Sequence, residues 1–274
     1  MEELGLSMED VRCWFKEERN SPYILVRVPS EHAERWVRDL ACAIRRCYIS
    51  DDDLLRRAEA LQAELGGTLA SRQAQIIGAK LPDPGSTMSG DFGEIITYLY
   101  QAARADPLLA FGPKKWKLKQ DRTKPAPFSD VVHFILPTWP KPSGQDQLLC
   151  AEVKTKATAG QSTPISAAIA ESAKDRTSRL SKTLVWLRER GIEGAPLGAI
   201  TIRQLDRFIN ATDNPPARRT FSAVAIIHAD YVVGELDDAP GCKSDSYTLV
   251  VVSIPNLKNI YEASFESAMI STAP

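Results

Sequence analysis

The run Leu148-Leu149-Cys150-Ala151-Glu152-Val153-Lys154 limits what this chain can become more than any other stretch. Successive side chains of a strand point to opposite faces. Leu148 and Cys150 take one face, and Leu149, Ala151 and Val153 take the other. Both faces are apolar up to Cys150, so both need cover, and a strand with one solvated face is excluded. The run then ends in charge. Glu152 and Lys154 stand two apart and share a face, which places an acid and an ammonium where a core gives way to a cleft.

A second strand-like run covers residues 129–136, and residues 138–146 between the two contain Pro140, Pro142 and Gly144. This pattern predicts an antiparallel hairpin with Leu136 opposite Leu148. Asp130 then lies opposite the end that carries Glu152 and Lys154, at a cross-strand Cβ spacing of about 4.5–5.5 Å. A slip of one residue would turn Asp130 to the other face. Glu94 falls in a helix expected over 91–105. It stands three residues after Asp91, which is the spacing of a capping box, so a structural role competes with a chemical one.

Two acids and a lysine in this order suit hydrolysis of a phosphodiester. The negative charge of that bond repels a nucleophile, and hard cations such as Mg²⁺, or Mn²⁺, offset it. Asp130, Glu152 and the backbone carbonyl of Val153 are the candidate metal ligands. Lys154 is placed to orient the attacking water or to stabilise the developing oxyanion. Glu94 is placed to bind the metal or to hold a water on it. Lys114, Lys115, Lys117 and Lys119, with Trp116 among them, suit a phosphate backbone and a stacked base, and equally an ordinary solvated charge run. The basic residues of a helix expected over 164–190 read mostly as a solvated face, with Lys174 and Arg179 as candidates for further phosphate contacts. Two rivals remain: a nucleic-acid-binding subunit that does not cut, and a glycoside hydrolase using Glu94 and Glu152 as acid and base. His133 and His228 stand alone in strands and read as packed residues.

Composition narrows the partners. With 274 residues and a formal net charge of −1, nucleic-acid binding must come from local patches. The five cysteines lack any CxxC pairing, which favours reduced thiols in a cytoplasm and gives no zinc site. No apolar run approaches a membrane span. Residues 81–90 are rich in Pro, Gly and Ser and read as a linker, dividing an N-terminal region (1–85) from the domain that holds the acids (86–274). The N-terminal region carries a strand at 23–28 and helices at 35–48 and 52–65; it reads first as packing, with docking of a partner as the sharper alternative. Further strands are expected at 197–202, 221–229 and 247–254, an exposed loop at 212–219 and a last helix at 257–268.

Glu94, then Asp130, then Glu152-Val153-Lys154 resembles the PD-(D/E)XK nuclease pattern, with Ser129 where a Pro often precedes the Asp. That resemblance implies an α/β fold with a mixed central β-sheet flanked by helices, restriction-endonuclease-like, here with an N-terminal α/β appendage. Gly90-Asp91-Phe92-Gly93-Glu94, Ser129-Asp130, Ala151-Glu152-Val153-Lys154 and Lys174-Asp175-Arg176-Thr177-Ser178-Arg179-Leu180 are similar to the nuclease subunits of the Hachiman anti-phage system. This second resemblance implies a DNA-degrading effector that works with a helicase partner.

Overall fold

The computed structural model describes residues 1–272. Among these, seven strands form one mixed sheet in the order β1-β2-β7-β6-β5-β4-β3. The strands are β1 (Lys16–Asn20), β2 (Tyr23–Arg27), β3 (Ala110–Phe111), β4 (Val131–Ile135), β5 (Gln147–Lys156), β6 (Arg218–His228) and β7 (Thr248–Ile254). The N-terminal half contributes α1 (Met8–Cys13), α2 (Ser30–Asp39), α3 (Ala41–Tyr48), α4 (Asp51–Leu65), α5 (Leu69–Lys80) and α6 (Ser86–Ala105). The C-terminal half adds α7 (Pro164–Lys174), α8 (Leu180–Ile192), α9 (Ile202–Ile209), α10 (Val232–Glu235) and α11 (Leu257–Ile270). No helix among the described residues is long and apolar enough to cross a membrane.

The apolar alternation of β5 decides the layers. Ala151 and Val153 join a core with Phe92, Ile95 and Phe265, from α6 and α11. Leu148 and Cys150 join another with Leu180, Leu184 and Phe208, from α8 and α9. Helix α7 covers Ala223 and Ala225 of β6 on that second face through Ile165 and Ala168. The sheet is thus sandwiched between helices, as the doubly apolar strand requires.

The N-terminal segment extends the same sheet. β1 and β2 form a hairpin, and β2 pairs in parallel with β7, Leu25 beside Val251. Val11, Trp14 and Trp36 share the core of Ile95 and Val252.

Several local expectations are corrected. Phe134, not Leu136, pairs with Leu148, a shift of two residues. An even shift keeps every side chain on its face. Helix α6 begins at Ser86 behind Gly85, not at Asp91, because Met88 is buried and extends the apolar stripe into the expected linker. Asp91 is therefore inside the helix and caps nothing. The helix over 35–48 breaks at Leu40 into α2 and α3. Residues 197–200 form no strand. Thr201 instead caps α9 in a capping box with Gln204, and this local bonding outranks a short apolar run. The loop over 212–219 is shorter than expected, since β6 starts at Arg218. The helix over 164–190 is interrupted by one π-helical turn, Asp175–Arg179.

Candidate functional site

β4 and β5 end unevenly, and the candidate site lies in the step between them. The last paired residues are Val131 and Ala151, whereas β5 continues to Lys156 against β6. One further step in the same register sets Asp130 beside Glu152. Asp130 Oδ2 accepts the Val153 N–H at 2.8 Å, capping a backbone donor that β4 no longer serves. Glu94 arrives from the opposite face on α6. The close approach of α6 depends on Gly93, where a Cβ would overlap Thr155 Oγ1 and crowd Val153. The result is a cleft of ≈ 800 Å³ lined by Glu94, Asp130, Glu152, Val153 and Lys154, with Lys174, Arg179 and Lys182 along α7 and α8. The four residues expected to do chemistry thus share one cleft.

The carboxylates are crowded and poorly solvated. Burial, then the neighbouring Asp130, holds the Glu94 carboxyl well above its usual range. Burial also raises Asp130, against the pull of Lys115, and raises Glu152, where Asp130 adds to the effect. Glu152 is flanked by cations: Lys154 Nζ donates to Oε1 at 2.6 Å and Arg179 Nη1 to Oε2 at 2.5 Å. Burial acts to lower the Lys154 ammonium, but the bond and charge of Glu152 overcome it and raise it. Among the described residues, no group of three or more His, Cys, Asp or Glu side chains is arranged to hold a metal ion. Asp130 and Glu152 are oxygen donors of the kind Mg²⁺ takes, one or two carboxylates with several waters, but a cation at Glu152 would have to displace the bonds from Lys154 or Arg179.

The raised Glu94 carboxyl has a consequence for stability. A carboxyl whose folded pKa exceeds its unfolded value stabilises the fold below the unfolded value, and this contribution is lost as pH rises through the folded one. Above about 4.5 the unfolded chain releases a proton that the folded chain retains, so stability should fall as pH climbs from there. Glu94→Gln should flatten this dependence and raise the neutral-pH Tm by about 2–4 °C per kcal/mol of relieved charge burial. Calorimetry of both proteins across pH checks it; a variant that melts lower at every pH would refute the assignment.

The basic run is placed differently from expectation. Lys114 is buried, ion-paired with Glu3 and bonded to the Tyr98 hydroxyl at 2.7 Å. Lys115 is buried and donates to the Ser129 carbonyl. Lys119 Nζ pairs with Asp91 at 2.7 Å, and both side chains are enclosed. Lys117 is half-buried, and burial lowers its ammonium. Trp116 is buried too, its Nε1–H donating to Glu94 Oε2 at 3.0 Å. The run packs behind the site instead of forming a phosphate strip, because acids remote in sequence take the charges of Lys114 and Lys119 and a backbone carbonyl takes that of Lys115. Lys174 is exposed on the cleft rim, while Arg179 reaches inward to Glu152 and to Glu171, the latter at 2.7 Å.

Several contributors carried no role in the site as read from the sequence. Asp175 accepts from Ser129 Oγ at 2.8 Å, and the Ser129 N–H donates to Thr183 Oγ1 at 3.1 Å. The π-helical turn thereby holds the residue just before Asp130. Tyr48 of α3 donates to Asp91 at 2.5 Å, tying the N-terminal helices to the one bearing Glu94. The identity of Ser129 gave no warning of its role, but π-turns are often found at functional sites. His133 is, as expected, a packed residue, bonded to Gln101 at 3.0 Å and pushed down to about 3 by burial.

No curated protein matches the chain. A family model described as HamA matches residues 10–268, nearly the whole length and every element that forms the cleft. The chain belongs to the HamA family.

Proposed function

We propose that this chain is a metal-dependent deoxyribonuclease, the effector of a prokaryotic Hachiman anti-phage complex that acts in the cytoplasm with a helicase subunit. The observation that carries the reading is the meeting of Glu94, Asp130, Glu152 and Lys154 on one cleft rimmed by Lys174 and Lys182. Asp130, Glu152 and the Val153 carbonyl would hold Mg²⁺ or Mn²⁺. When bound, the cation supplies positive charge at the scissile phosphate and acidifies water there. Lys154 keeps its proton and directs it toward the same space, stabilising charge that develops on the phosphate. Glu94, biased toward its protonated form by burial, holds or moves a proton at the inner wall. Lys174, Lys182 and Arg179 attract the polyanion by charge.

The direct test is incubation of the purified chain, with and without its helicase subunit, with DNA in Mg²⁺, Mn²⁺ or EDTA. Cleavage that persists in EDTA would overturn metal dependence. One observation favours the second reading, a binding subunit that does not cut: both oxygens of Glu152 are taken by Lys154 and Arg179. Absence of cleavage under all these conditions, with DNA still bound, would establish that reading.

Helicase docking is assigned to residues 1–85. Deletion is the wrong probe, since these residues share the main core. Reversing the exposed charges Arg56, Arg57 and Glu59 on α4 leaves the core intact. Unchanged co-elution with the helicase would remove α4 from the interface.

A further inference from the structure

One segment of the cleft lining bears no charge. Pro125, Ala126, Pro127 and Phe128 line it together with Lys154, Lys174, Arg179 and Lys182. Phe128 has a φ of 66°, in the left-handed region. A bulky side chain there is a steric outlier, and such outliers persist where the surroundings enforce them and cluster at ligand-binding sites. The enforcement is visible on both sides. Pro127 precedes the residue, and Ser129 after it is fixed by Thr183 and Asp175. Burial does not account for the conformation. Phe128 remains 38% exposed, touching Trp186 edge-on with ring centroids 6.2 Å apart. The chain thus holds an aromatic ring, in an unfavourable backbone state, two residues from Asp130 and on a cleft lined by four acids and four cations, of which Lys182 is exposed on α8.

We propose that Phe128 is a base-stacking platform and that the cleft selects an unpaired DNA strand. The combination of cations that track a phosphate backbone with a rigid aromatic ring is the chemistry of single-strand binding. In a duplex both faces of each internal base are covered by its neighbours, so the ring has nothing to stack on. A single strand, a flap or a frayed end offers a free face while Lys182, and Lys174 on exchanging Glu171 for a phosphate, hold the flanking phosphates. The proposal rests on the nuclease reading for the position of the scissile bond, but stacking itself needs no metal and no cleavage.

The test is binding in EDTA of an oligodeoxynucleotide carrying one 2-aminopurine, single-stranded or annealed to its complement. Stacking on an aromatic ring quenches the fluorescence of that base. The wild-type protein should prefer the single strand and quench it. Phe128→Gly, which adopts the same φ without strain, should lose about ten-fold in single-strand affinity and most of the quenching. Its duplex affinity should change by less than about two-fold, as expected if Phe128 makes no duplex contact. Phe128→Trp should restore both signals. Undiminished single-strand binding by Phe128→Gly, equal losses on both DNA forms, or failure of Phe128→Trp to restore would each overturn the proposal. In those cases cleavage by the wild type is unaffected and the nuclease reading survives. A wild-type protein that binds neither DNA would remove both.

Discussion

With Glu152 replaced by Ala, cleavage of DNA in Mg²⁺ is expected to fall by about a thousand-fold or more, the equivalent of several kcal/mol of lost charge stabilisation. DNA binding should not fall with it. Lys154 and Arg179 both donate to Glu152, and its removal leaves two cations facing the cleft. Affinity for DNA in EDTA should therefore hold or rise while turnover collapses. A misfolded variant would lose both, so the divergence identifies a chemical role. Lys154→Ala should lose about 10²- to 10³-fold in rate, the usual cost of one electrostatic contact made in the transition state. Its DNA affinity should drop modestly as well. Single-turnover cleavage alongside anisotropy binding separates these outcomes, and full activity in both variants would sink the site assignment.

The second large effect concerns a residue that first looked like a phosphate contact. Lys119→Met is expected to destabilise the fold by about 3–5 kcal/mol, because it strands a buried Asp91 carboxylate without its cation. Tyr48 alone would then serve Asp91, whose carboxyl is already held above its ordinary range by burial. Denaturant unfolding at neutral pH measures the loss. DNA affinity and its salt dependence should be unchanged at temperatures where the variant is folded. A normal unfolding midpoint, with a salt slope shallower by about one, would return Lys119 to the DNA interface.

The fate of these two residues shows which information was legible in the chain. The position of Glu152 and Lys154 followed from a period of two within one strand, which is local. Asp130 was placed on the correct face although the register was off by two, because only the parity of the shift matters. The lysines were misjudged because the burial of a charge depends on partners far away. Glu3 and Asp91 neutralise Lys114 and Lys119 across gaps that no window of sequence spans. β1 was missed because Lys16–Asn20 is polar throughout and forms an edge, held by its hairpin with β2. The π-helical turn left no trace either, since the apolar stripe runs through it from α7 into α8. Asp175 and Arg179 acquire their roles only from that turn.

The parallel contact of β2 with β7 also sets an order of events at the ribosome. Tyr23–Arg27 emerges ahead of every strand but β1 and must wait for Thr248–Ile254, made after every other strand of the sheet, before its ladder can close. β5 likewise has no neighbour beyond Ala151 until β6 is translated. A nascent chain therefore lacks a finished pocket until β6 has been made, and a truncated product that ends before β6 would be expected to be inert.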